Sequence, residues 1–89
     1  MADYKILVSK RAERGLDRIT DNNILKRIVR KIDQLANNPR PSGVRKIMGS
    51  DIDYRIRMGD YRVIFQINDA QKVLEIRGIG HRKEIYKKL

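Results

Sequence analysis

Three arginines fall within eight residues in the segment Asp53-Tyr-Arg-Ile-Arg-Met-Gly-Asp-Tyr-Arg-Val-Ile-Phe-Gln-Ile67: Arg55, Arg57 and Arg62. Gly59-Asp60 reads as a two-residue hairpin turn, with glycine supplying a positive φ at its first position. Met58 then pairs with Tyr61, Arg57 with Arg62, Ile56 with Val63 and Arg55 with Ile64. All three arginines share one face, and Arg57 stands opposite Arg62. Like charges facing across a strand pair are destabilising, so the arrangement points to an anionic ligand. The guanidinium fork matches phosphate oxygens, and the cluster reads as a phosphate cradle. His81, the one histidine, follows Gly80 at a strand end, from which it could reach a ligand on that open face. Histidine ordinarily titrates near neutrality and can donate or accept a proton. Tyr86 either packs on the sheet edge or stacks on a base.

The elements that would position these groups follow from periodicity. Tyr4, Ile6 and Val8 alternate with Lys5 and Leu7, which predicts a short strand. Ser9 is placed to cap a helix in which Ala12, Leu16 and Ile19 recur, with Arg11, Arg14 and Arg18 forming a basic strip. Thr20-Asp21-Asn22-Asn23 breaks it and supplies capping residues for the next helix. A second helix carries Ile24, Leu25, Ile28, Val29, Ile32, Leu35 and Ala36 as a wide apolar stripe and ends at Asn37-Asn38-Pro39. The short link predicts an antiparallel helical hairpin. Val44 to Met48 is a short strand or an irregular entry, and Gly49-Ser50-Asp51 is a turn. Strands are expected over Tyr54–Met58, Tyr61–Asn68 and Val73–Ile79, then a short helix or tail from Arg82 to Leu89. The order β-α-α-β-β-β is an α+β domain, a small, mostly antiparallel sheet packed by the helical hairpin on one face.

The loop Asp69-Ala-Gln-Lys72 sets a second register: Asn68 with Val73, Ile67 with Leu74, Phe65 with Ile76 and Ile64 with Arg77. Tyr54, Ile56, Val63, Phe65, Ile67, Leu74 and Ile76 then share the face turned to the helices. Arg55, Arg57, Arg62, Ile64, Gln66, Glu75 and Arg77 share the other. A slip of one residue would bury the arginines, so the register is well specified. An open antiparallel sheet ordinarily has a polar face. That does not explain three arginines with no acid among their immediate pair partners.

The 89 residues make one domain, residues 1–89, with a small core. The formal net charge of +10 favours a polyanionic partner: nucleic acid, an acidic protein or an anionic membrane. Cysteine is absent, which excludes disulfides, cysteine metal sites and cysteine nucleophiles. One histidine and scattered carboxylates form no ligand cluster, so no metal and no cofactor is expected. No apolar run suits a signal peptide or a membrane span, which makes a cytoplasmic location the expectation.

Tyr54-Arg-Ile-Arg-Met-Gly-Asp-Tyr-Arg-Val-Ile-Phe65 and Ile79-Gly-His-Arg-Lys-Glu-Ile-Tyr86, with Lys46-Ile-Met-Gly49 before them, resemble the RelE/ParE superfamily of toxin–antitoxin toxins over nearly the whole chain. The resemblance implies the fold derived above. For RelE-like members it implies a ribosome-dependent endoribonuclease that cuts mRNA in the ribosomal A site and so also meets ribosomal RNA. The ribose 2′-hydroxyl attacks the adjacent phosphate and the 5′-oxygen leaves. By position, Arg62 would hold the scissile phosphate, and Arg55 and Arg57 would stabilise charge. Arg82 matches the arginine before the C-terminal aromatic, and Tyr86 the tyrosine that stacks on the cleaved nucleotide. Arginine is a poor general base, which leaves His81 for the proton transfer. Lys46, Arg77, Lys83 and Lys87 are expected to add RNA contacts. The implied partner is a RelB-like antitoxin, acidic and partly disordered, through which alone operator DNA would be met; it would cover the basic face or displace the C-terminal helix. A ParE-like inhibitor of DNA gyrase without RNase activity, and a toxin-fold protein that only binds antitoxin and DNA, are the alternatives.

Overall fold

A computed structural model describes residues 3–85. In chain order the elements are β1 (Lys5–Val8), α1 (Lys10–Asp17), α2 (Asn22–Asn37), β2 (Val44–Lys46), β3 (Asp53–Met58), β4 (Tyr61–Asn68) and β5 (Val73–His81). They form one five-stranded sheet in the order β1-β5-β4-β3-β2, in which only β1 and β5 run parallel. No helix among the described residues is long and apolar enough to cross a membrane.

The expected caps are in place. Ser9 Oγ accepts from the Ala12 N–H at 3.1 Å, and Asp21 Oδ1 accepts from the Asn23 N–H at 2.8 Å. Each satisfies an amide that the first helical turn leaves orphaned. Asn38, before Pro39, is extended at φ −145° and ends α2. The helices' apolar stripes cover one sheet face. Ala12, Ile19, Ile28, Ile32 and Leu35 pack on Ile56, Val63, Phe65, Ile67, Leu74, Ile76 and Ile79.

The β3–β4 register is the expected one, from Asp53 opposite Gln66 to Met58 opposite Tyr61. Gly59 has φ +62°, the conformation its turn position requires. The β4–β5 register holds from Asn68–Val73 to Phe65–Ile76 and then departs. Ile64 pairs with Gly78, not Arg77, so β5 carries one residue more than its partner. This is a β-bulge at Arg77. Beyond it every side chain of β5 is turned to the face opposite the one simple alternation assigns. Ile79 enters the core, whereas Gly78 and Gly80 lie beside Ile64 and Arg62.

Two tertiary contacts hold the frame. A Cβ on Gly15 would stand 2.0 Å from the Ile79 carbonyl oxygen, so α1 rests backbone to backbone on β5. At the other end, Arg40 donates to Asp69 through both Nη1 and Nη2, at 3.1 and 2.9 Å, and covers the Tyr54 ring. The Tyr4 hydroxyl donates to the same carboxylate. The Arg40 hydrogen bonds first, and that of Tyr4 second, hold the Asp69 carboxyl down at about 2, below its ordinary 3.8.

Helix propensity favours alanine over glycine by about 1 kcal/mol, but overpacking this close to backbone costs about 3 kcal/mol. Gly15→Ala therefore destabilises the fold by about 2 kcal/mol, read as a melting point lower by roughly 10 °C. Because the folded pKa of Asp69 is depressed, its contribution is full above the ordinary carboxylate range and disappears as pH falls from about 4 towards about 2. In urea titrations the gap between the wild type and Asp69→Asn is expected to close over that window. A gap unchanged at pH 2 would refute the assignment.

Candidate functional site

The open face of the sheet carries a block of four arginines. Arg45 of β2 lies opposite Arg55 of β3, and Arg57 of β3 opposite Arg62 of β4. The ion pairs among the described residues are Arg40–Asp69, Lys46–Asp51, Arg77–Glu75 and Arg82–Asp60. None involves these four arginines. The nearby acids are committed elsewhere: Asp53 accepts from Gln66 Nε2 and Ser50 Oγ. Arg45 and Arg57 are exposed and Arg55 half-buried. The face is donor-rich and its carboxylates are bonded to other groups, the arrangement that suits an anion.

Arg62 lies on this face but does not face solvent, as the sequence reading requires; it is 7% exposed. Its Nη1 donates to the carbonyls of Gly59 and Tyr61 at 3.0 and 3.1 Å. The guanidinium is thus folded back on the hairpin turn. The C-terminal turn helps close this region. Ile85 is buried over the two glycines of β5, its Cδ1 3.1 Å from where a Gly78 Cβ would be and 3.5 Å from that of Gly80. A Cβ at Gly78 would crowd it, whereas one at Gly80 would meet it in ordinary contact.

His81 is the second departure. The bulge puts it opposite Tyr61 and on the helix side, away from the arginines. Its ring meets the Tyr61 ring edge-on at 5.7 Å, and it lines clefts with residues of α1 and of α2. His81 Nδ1 accepts the Lys83 N–H at 3.2 Å, which leaves the proton of the neutral ring on Nε2. The arrangement presents an N–H donor, not a free base.

The remaining candidates divide. Arg77, the bulged residue, is exposed and paired with Glu75 at 3.1 Å, not opposite Ile64. Lys46 pairs with Tyr54 on the helix-facing side of the sheet and lies 3.9 Å from Asp51. Its neighbour Arg45 takes the place on the arginine face. The signal for Arg45 is Val44: once that residue is in the core, alternation turns Arg45 outward. The Arg82 N–H donates to the Asp60 carbonyl at 2.7 Å, which ties the C-terminal turn to the β3–β4 turn. Lys83 is exposed. Tyr86 and Lys87 lie outside the described residues.

A buried guanidinium held by two carbonyls and no carboxylate contributes little to folding, because desolvation offsets its hydrogen bonds. Arg62→Met, similar in volume, is expected to shift stability by less than about 1 kcal/mol. Arg62→Ala leaves a void and costs about 2 kcal/mol or more. Equal losses in urea denaturation would mean that the bonds to Gly59 and Tyr61 hold the turn.

Comparison with known proteins is consistent over the chain's length. The family described as "ParE toxin of type II toxin-antitoxin system, parDE" matches residues 6–86. A chain of Methanocaldococcus jannaschii named toxin RelE1 is 30% identical over 87 residues, covering 94% of this chain and 96% of that one. Toxin RelE of Mycobacterium tuberculosis is 29% identical over 86 residues, covering 94% and 87%. In the archaeal RelE–RelB complex of Pyrococcus horikoshii, a chain 29% identical superposes with a TM-score of 0.80, covering 94% of this chain and 99% of that one. On these grounds, with the fold and the arginine face they accompany, the chain belongs to the RelE/ParE superfamily of type II toxin–antitoxin toxins.

Proposed function

We propose that this toxin is a RelE-like mRNA interferase. It cuts message in the ribosomal A site by attack of the ribose 2′-hydroxyl on the adjacent phosphate, with loss of the 5′-oxygen. The observation that carries the reading is the block of Arg45, Arg55, Arg57 and Arg62, which meet no carboxylate among the described residues. The transition state carries extra charge on the phosphate oxygens, and fixed cations aimed at it are each worth about 10²–10³ in rate. Arg55 and Arg57 supply that charge, and Arg62 holds the phosphate once the C-terminal turn gives access. The exposed Lys83 and Arg82 add contacts to message or ribosomal RNA. The RelE names of the relatives and the RelB chains in their complexes support this reading. They also support a RelB-like antitoxin as partner, whose acidic chain would neutralise the basic face. A location in the cytoplasm follows from a ribosomal target.

The alternative is a ParE-like gyrase inhibitor that leaves RNA whole; the RelE names of the relatives support the interferase over it. Mapping mRNA 5′ ends after brief expression separates the two, using translated and untranslatable copies of one message. Codon-phased cuts confined to the translated copy are expected, with Arg57→Ala reducing them about 100-fold at an unchanged melting point. Intact mRNA with gyrase-linked DNA breaks would sink the interferase reading.

A further inference from the structure

The basic strip of α1 is not part of the arginine face. Arg11, Arg14 and Arg18 recur on successive turns and span about 10 Å at 1.5 Å per residue. They line a cleft of about 760 Å³ between α1 and the end of β5, with Tyr61, His81 and Ile85. A cleft of this size accommodates a small organic group. It is rich in donors. Arg11 Nη2 is closed off from water and has no acceptor among the described residues, a state that costs free energy until an acceptor arrives. His81 adds Nε2–H, since its Nδ1 is taken by Lys83. Glu84 is the one carboxylate on the cleft wall, and none of the three arginines joins an ion pair among the described residues.

From these groups we infer that the cleft binds one nucleotide of a single-stranded RNA, its phosphate on Arg11 and its neighbouring arginines and its base on Tyr61 and Ile85. The arginine face and the cleft flank the same turn, so a strand with a charge at every nucleotide engages both. An acidic peptide supplies the charge but not the flat ring that the aromatic and apolar wall accepts. The inference rests on the RNA reading above for the identity of the strand.

The test uses the whole chain without ribosomes, with fluorescein-labelled heptauridylate as the probe and anisotropy as the readout. In the triple variant Arg11→Gln, Arg14→Gln, Arg18→Gln, affinity is expected to fall tenfold or more. The slope of log affinity against log salt should fall by about 0.7, the share of the one phosphate that the strip holds. The melting point should stay or rise, because the orphaned donor of Arg11 is gone. Should the triple variant fail to fold, Arg14→Gln with Arg18→Gln is expected to lower affinity and slope in the same direction. Unchanged affinity and slope would overturn the inference. So would UMP shifting the His81 ring resonances while heptauridylate binding ignores the variant, which would indicate a free nucleotide. A tenfold loss for a polyglutamate peptide but not for the RNA would overturn it in favour of a protein partner. Message left whole in cells while heptauridylate still depends on the strip would refute the nuclease and keep the site. Codon-phased cutting with no such dependence would do the reverse.

Discussion

One extra residue in β5 decides which way the second half of that strand presents its side chains. The bulge at Arg77 carries Ile79 into the core and places Gly78 and Gly80 on the open face, against Ile64 and Arg62. Two glycines in succession on that face make a trough, and Ile85 fills it. The same shift turns His81 to the helices. Without the bulge, Ile79 would lie in water and His81 beside the arginines. Burying one isoleucine is worth about 2 kcal/mol, which offsets the ladder hydrogen bonding that a bulge disrupts.

The position of α1 follows from the same strand. β1 pairs with β5 only as far as Ile76, which leaves the outer edge of residues 77–81 without a strand neighbour. An uncovered edge exposes unpaired backbone groups. α1 covers it at close range because Gly15 lets the helix meet the Ile79 carbonyl directly. The close approach sets Arg11, Arg14 and Arg18 beside the C-terminal turn. Two of the molecule's basic surfaces, the sheet face and the α1 cleft, thereby lie on either side of residues 82–85.

What could be read in the sequence was local. The β3–β4 register was legible because Gly59 and the alternation of Tyr54, Ile56, Val63 and Phe65 fix it independently. The caps at Ser9 and Asp21 and the stop before Pro39 were legible because each is decided within four residues. The bulge was not, since extending the pairing from the Asp69–Lys72 loop carries strict alternation forward. Its signal is the spacing Leu74, Ile76, Ile79, two and then three, and placing Ile79 in the core requires it. Arg45 was hidden by the shortness of β2, whose three residues carry too little periodicity to declare a face. The packing of Ile85 over Gly78 and Gly80, the latter opposite Arg62, is set by the C-terminal turn, and no local pattern in the hairpin reports it.

The placement of His81 bears on how the proposed chemistry divides its labour. Among the described residues, the arginine face holds no group that ordinarily titrates near neutrality. It presents guanidiniums that stay charged at every accessible pH, beside Gln66 and Asp53, which bond each other, and Glu75, which pairs with Arg77. Such a face can hold a phosphate and stabilise the charge that gathers on it, but it offers no ready acceptor for the proton of an attacking hydroxyl. For the RNA-cutting reading, that proton passes to water, to a residue outside the described ones, or to a group brought by the surface on which the message lies. A site with charge and, among the described residues, no base of its own draws the rest of its chemistry from elsewhere. Where the ribosome is that source, completion by it is a requirement of the proton transfer itself, and not only a matter of delivering the substrate.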